Sequence, residues 1–184
     1  MRITCLKRGR RHALALAAVA LAGLASGATA VATSAQPGKH AAAQPLVIRG
    51  DSTIVDHPCA PDDCHFEYAG GALRGTLGTG EYTGSFDFDP ATAFPNGEGG
   101  VCAPIRGTIV LGAGSPDRLV LALRGDSCQD GAGNPATSSF TTVARFSVEY
   151  GTGKYANATG AGILSSAEDV SDQDRMTLIG RVSL

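Results

Sequence analysis

Apolar and polar residues alternate along almost the whole chain after residue 45. In "EYTGSFDFD", Tyr82, Gly84, Phe86 and Phe88 point one way, and Glu81, Thr83, Ser85, Asp87 and Asp89 the other. In "ARFSVEY", Ala144, Phe146, Val148 and Tyr150 face inward against Arg145, Ser147 and Glu149. In "RMTLIGRVSL", Met176, Leu178, Val182 and Leu184 alternate with Arg175, Thr177, Arg181 and Ser183. A period of two marks a strand with one buried face, because successive side chains leave the backbone on opposite sides. No window carries a comparable helical stripe. Further strands are predicted at 46–55, 66–77, 105–111, 118–124 and 160–166, with 25 glycines and nine prolines to supply the turns.

Two of these strands flank "GAGSPD" and read as a hairpin centred near residue 115. Leu111 then faces Leu119, Ile109 faces Leu121, Gly107 faces Leu123, and the same register sets Cys102 opposite Cys128. Cross-strand neighbours have the spacing that a disulfide needs. A Cys102–Cys128 bridge would close a loop of about 27 residues and contribute roughly 3–4 kcal/mol in the chain-entropy model. The remaining local pair is Cys59–Cys64, within "CAPDDC". Eight short antiparallel strands with two disulfides suggest a closed barrel or a sandwich. Closure removes exposed edges.

The N-terminus changes the charge picture. Arg2, Lys7, Arg8, Arg10 and Arg11 precede an uncharged apolar run, Ala13 to Ala25, and the small-x-small site Ala28-Thr29-Ala30. This reads as a secretory signal peptide over residues 1–30, too short in its apolar run to span a bilayer comfortably. Residues 31–44 read as a flexible lead-in and 45–184 as the β-domain. Cys5 leaves with the signal, so four cysteines enter an oxidising compartment, where pairing is expected. The exported chain keeps 10 basic and 17 acidic residues, a net charge of −7. That balance argues against nucleic acid as a partner, since phosphate contacts need a basic footprint. After signal cleavage no membrane span is expected. Nothing in the sequence sets the oligomeric state.

Several segments carry candidate chemistry, and each has a plainer reading. "GTGEYTG" (78–84) and "GTGKYANATG" (151–160) look like phosphate loops, but each runs into a strand, with no helix N-terminus to hold an anion. Both read better as hairpin connections with glycines at positive φ. "HPCAPDDCH" gathers His57, Cys59, Cys64 and His65, a possible zinc set; pairing of the cysteines would remove the thiolates, so no metal is expected. "DSCQDGAGN" (126–134) resembles a calcium loop, but Cys128 occupies a ligand position and no Glu closes it at Thr137. "FDFDP" and "DQD" read as outward-facing carboxylates. No G-x-S-x-G elbow is present, and His40, His57 and His65 offer no obvious triad base. Tyr68, Tyr82 and Tyr155 are candidates to face inward. No catalytic residue is assigned and no cofactor is implied.

The stretch Val148 to Gly160 is similar to a pattern of allene oxide cyclase and dirigent barrels, roughly V-x-G-G-T-G-x-[FY]-x-x-A-x-G. Val148, Gly151, Thr152, Gly153, Tyr155, Ala158 and Gly160 match, while Tyr150 stands where a second Gly is usual. The resemblance implies a single antiparallel eight-stranded barrel of calycin type with a central cavity. It also implies that the motif is structural, with glycines making a turn and Tyr155 and Ala158 packing. The family's catalytic residues have no counterparts identifiable here.

Two functions follow as expectations. The first is a secreted barrel that binds a small apolar ligand or a surface partner. The second is a cyclase or isomerase acting in the barrel cavity, a reading that a solid interior would remove. Outside both readings, the long loops 90–104 and 125–139 would form one recognition surface with a structural or inhibitory role.

Overall fold

The computed structural model describes residues 42–56, 64–130 and 139–184, and every structural statement concerns these residues. Nine strands are present: β1 (Gln44–Asp56), β2 (Cys64–Gly75), β3 (Gly78–Phe88), β4 (Phe94–Pro95), β5 (Val101–Leu111), β6 (Leu119–Gln129), β7 (Phe140–Gly151), β8 (Thr159–Glu168) and β9 (Gln173–Ser183). Two 3-10 turns, Pro90–Thr92 and Gly153–Tyr155, are the helical elements among the described residues.

Eight strands close on themselves. They neighbour in the order β3-β2-β1-β9-β8-β7-β6-β5, and β5 pairs back onto β3; β4 adds two residues beside the start of β5. Every pairing is antiparallel. Register can be followed once round the ring from Leu46 through Gly180, Gly162, Phe146, Leu123, Gly107, Phe86 and Phe66 to Asp56. The path returns to β1 ten residues further on, from 46 to 56. Such a stagger tilts the strands against the barrel axis, by roughly 35–45° in closed barrels.

The interior is built from the in-phase residues of each strand. Leu46, Ile48, Ile109, Leu121, Leu164 and Leu178 are all fully buried. Two aromatic rings cross the lumen over glycines that leave them room. A Cβ on Gly50 would lie 2.6 Å from Tyr82 Cε1, and one on Gly71 would strike the same ring. A Cβ on Gly162 would lie 2.6 Å from Phe146 Cε1, and one on Gly180 2.8 Å from its Cζ. Gly71 follows a bulge in β2 between Tyr68 and Gly71, where Gly70 has φ 65°. Left-handed backbone of this kind favours glycine.

The hairpin at residue 115 has the expected register, and Cys102 pairs with Cys128 both in the ladder and as a disulfide. Only this disulfide is seen among the described residues; the expected Cys59–Cys64 bridge involves Cys59, which lies outside them, as do the proposed signal peptide and all but the end of the lead-in. β1 begins at Gln44, two residues before the strand expected at 46–55.

Several expectations are corrected. Tyr150 is 56% exposed, because a bulge between Val120 and Leu121 pairs Val120 with Tyr150 but Leu121 with Val148. One skipped residue reverses the face on which Tyr150 emerges. Leu184 follows the end of β9 and is exposed. The long loops at 90–104 and 125–139 are shorter than expected, since β5 already begins at Val101 and β6 runs on to Gln129. "GTGEYTG" is strand β3 rather than a turn; the turn is 76–77, and only Gly78 of its glycines has positive φ.

Candidate functional site

The barrel has two unlike ends. The connections 76–77, 112–118 and 152–158 lie at one end, where the family-like motif of the sequence sits. Tyr155 and Ala158 are buried and belong to the same apolar cluster as Leu73, Leu111 and Leu119. Gly151 ends β7, Gly160 lies in β8, and Gly153 holds φ 57° at the start of the 3-10 turn. Thr152 clamps this turn to the hairpin 112–118. Its Oγ1 donates to the carbonyl of Pro116 (2.6 Å) and accepts from the N–H of Arg118 (3.0 Å). Asp117 Oδ1 accepts from the Lys154 N–H at 3.1 Å. The motif therefore plugs one end of the barrel.

The two "GTG" segments also meet here. Thr79, Gly80 and Glu81 of the first and Lys154 and Tyr155 of the second line a cleft of about 350 Å³ with Leu73, Leu77 and the 112–115 turn. Two carboxylates, Glu81 and Asp117, face one ammonium, that of Lys154, around its rim. This charge balance does not favour phosphate. A second cleft, of about 430 Å³, lies beside the β2 bulge between Tyr68, Thr83, Thr108 and Val110.

The other end is chemically two-sided. On β2 and β3, aromatic rings form a ladder: Tyr82 and Tyr68 lie 6.1 Å apart, Tyr68 and Phe86 5.6 Å, Phe86 and Phe66 5.1 Å, and Phe66 and Phe88 5.3 Å between centroids. Phe66 and Phe88 are only half-buried, so the ladder runs from the packed interior toward solvent. On the opposing strands the in-phase positions are polar. Ser166, Thr142 and Ser127 stand in register across β8, β7 and β6, with Thr142 Oγ1 donating to Ser127 Oγ at 3.0 Å. Ser52 on β1 pairs with Asp174 on β9, and Asp174 with Glu168 on β8. Ser52, Thr142, Ser166 and Asp174 are the buried polar residues among those described.

The centre of this layer is under-satisfied. Ser52 Oγ, Tyr82 Oη and both carboxylate oxygens of Asp174 are buried and have no partner in hydrogen-bonding geometry. Burial pushes the Asp174 carboxyl up to about 6; Ser166 approaches closely enough to offset part of that, and Asp51 adds to it. Burial likewise raises the Tyr82 hydroxyl to about 12 and drives that of Tyr68 higher still, both with the help of the Asp174 charge. A carboxyl that titrates near neutrality beside two tyrosine hydroxyls can give or take a proton, or hold a positive charge.

The other candidate residues fall elsewhere. His65 is half-exposed; its Nδ1 lies 2.5 Å from Asp87 Oδ1 and its Nε2 3.6 Å from Glu67 Oε1. Its pKa is raised, chiefly by the hydrogen bond to Asp87. His57 and Cys59 of the zinc set are outside the described residues. Asp126 and Cys128 of the calcium-like segment lie in β6, with Cys128 oxidised, so that part is not a loop. Among the described residues no three His, Cys, Asp or Glu side chains are grouped as a metal site would need. No helix there is long and apolar enough to cross a membrane.

Asp174 and its neighbours escaped the sequence reading, which left "DQD" as outward-facing carboxylates. Asp174 in fact shares the phase of Met176, Leu178 and Val182. Ser52 shares that of Ile48 and Ile54, Ser166 that of Leu164, and Thr142 that of Ala144 and Phe146. Extending each apolar alternation by two residues finds all four.

Comparison of the chain with protein-family models, with curated proteins and with solved structures finds no match.

Proposed function

We propose that this chain is an exported β-barrel that binds a small, mainly apolar molecule at the two-sided end of its lumen. The observation that carries the reading is the layer in which the aromatic ladder Tyr82–Tyr68–Phe86–Phe66–Phe88 faces the polar set Ser52, Asp174, Ser166, Thr142 and Ser127. Binding sites combine apolar walls with a few placed polar groups. A structural core has no use for buried polar atoms without partners, each of which costs free energy. The plugged far end and the rings of Tyr82 and Phe146 leave the middle of the lumen packed. A ligand therefore belongs at the two-sided end, and a small one fits best. The resemblance of residues 148–160 to allene oxide cyclase and dirigent barrels implies a central cavity, whereas here the middle of the lumen is filled by Tyr82 and Phe146. A native mass spectrum of protein taken from its producer's medium tests the reading. A bound small molecule that is lost on Phe86→Ala supports it; a ligand-free spectrum counts against it.

A second reading, a cyclase or isomerase, is favoured by one observation: Asp174, with its pKa near neutrality, lies beside the tyrosine hydroxyls. In that reading Asp174 moves the proton and the aromatic ladder shapes the substrate. Turnover of a labile epoxide or phenolic substrate above the rate in buffer, abolished in Asp174→Asn, would establish it. No turnover removes it and leaves the binding reading in place.

A further inference from the structure

We infer that the ligand of this barrel end is a primary or secondary amine on a compact apolar body, with its ammonium seated on Asp174. The inference rests on the proposed binding role and narrows its ligand class.

Among the described residues the unpartnered polar atoms inside the barrel are two hydroxyls, which can donate or accept, and the two carboxylate oxygens of Asp174. Both oxygens of an ionised Asp174 can only accept hydrogen bonds, and Ser52 Oγ and Tyr82 Oη can accept as well. Among the described residues no cation is placed to match them. Every arginine among the described residues is exposed, as is Lys154, the one described lysine, and the half-exposed His65 is engaged with Asp87 and Glu67. The groups acting on the Asp174 carboxyl are Ser166 and Asp51, neither of them positive. A buried carboxylate without a counter-charge is among the costlier arrangements in a protein interior.

An ammonium group answers this inventory. It brings up to three donors, no acceptor and one positive charge. The hydroxyls of Tyr68 and Tyr82 both feel the Asp174 charge, and their rings lie 6.1 Å apart; aromatic side chains attract cations. A quaternary ammonium would supply the charge but no donor, leaving the two oxygens unpaired, which is why the inference specifies an N–H-bearing amine. Glu168, half-buried and opposite Asp174 in the ladder, adds a second acidic side chain on the same face. Paired negative charge raises the local concentration of cations and repels acids.

The test compares three probes with one body and three heads: 2-phenylethylamine, 2-phenylethanol and phenylacetate, titrated calorimetrically into the purified protein at pH 7.5. The expected result is measurable binding of the amine, at least tenfold weaker binding of the alcohol, and none of the carboxylate. Asp174→Asn, isosteric and uncharged, should lose at least tenfold in amine affinity while keeping its circular dichroism spectrum. Ser52→Ala, which keeps the charge, should weaken the amine less. Equal binding of amine and alcohol, or amine binding undiminished in Asp174→Asn, overturns the amine class and leaves the lumenal site standing. Failure of all three probes to bind overturns the lumenal site as well.

Discussion

Ser52 on β1 and Asp174 on β9 face each other across one strand pair, both buried, and neither Ser52 Oγ nor the Asp174 carboxylate oxygens have a partner in full hydrogen-bonding geometry. The pair lies in the polar half of the two-sided end, against the packed lumen. Its chemistry makes the protein's stability depend on pH in an unusual direction. The folded-state pKa of Asp174, about 6, is raised above its unfolded value of 3.8. The folded form therefore holds the proton more tightly, and stability from this group is fully present below pH 3.8. It is lost as pH rises through the window from about 4 to 6. The total is on the order of 3 kcal/mol, since each unit is worth about 1.4 kcal/mol. Asp174→Asn should abolish that slope and be more stable than wild type at pH 7 by on the order of 1–3 kcal/mol. Urea denaturation of both proteins between pH 4 and 7, compared as a difference, reads this directly.

The Tyr82 hydroxyl is a second buried group without a partner. Tyr82→Phe removes it and keeps the ring on its glycine seat. The expected change is neutral to stabilising, by up to about 1 kcal/mol, because an unsatisfied buried hydroxyl carries a desolvation cost. A loss of more than 1 kcal/mol in chemical denaturation would mean that the hydroxyl is hydrogen-bonded in solution.

Gly71→Ala places a methyl group against the Tyr82 ring, with Cδ1 and Cζ both 2.6 Å from it. Overpacking of this kind costs about 1–3 kcal/mol. Coupling identifies the cause: in a Tyr82→Leu background the same substitution should cost much less, giving a clear interaction energy in the double-mutant cycle. Additive costs would place the strain in the backbone instead.

Thr152→Val removes the oxygen that bonds Pro116 and Arg118 and leaves two backbone groups without that partner. A loss of about 1–3 kcal/mol is expected, and Thr152→Ser should recover most of it. Thermal melts of the three proteins decide the matter.

These elements differ in how far the sequence revealed them. The β5–β6 hairpin was legible because Pro116 and the glycines of "GAGSPD" fix its centre, and a period of two then carries the register out to Cys102 and Cys128. Tyr150 was not, because the bulge at Val120 and Leu121 is a local slip that alternation alone does not signal. The bulge at Gly70 was equally hidden. Asp174 lay in plain sight, in phase with Met176 and Leu178, yet an aspartate at the end of an apolar alternation normally marks the strand's exit to solvent. Only closure of the barrel, which brings Ser52, Tyr68, Tyr82 and Ser166 around it, turns that position into an interior one. The meeting of the two "GTG" segments in one cleft is likewise a product of closure, since they lie on β3 and beyond β7.

The most direct test is a ¹H–¹⁵N correlation spectrum of the labelled protein titrated with 2-phenylethylamine. Ligand seated at the two-sided end should shift the amides of Ser52, Tyr68, Phe86, Ser166 and Asp174 in a saturable manner and leave Leu77, Glu81, Gly114 and Lys154 unmoved. Shifts confined to the cleft at the plugged end, or none at millimolar probe, would contradict a ligand site in the lumen.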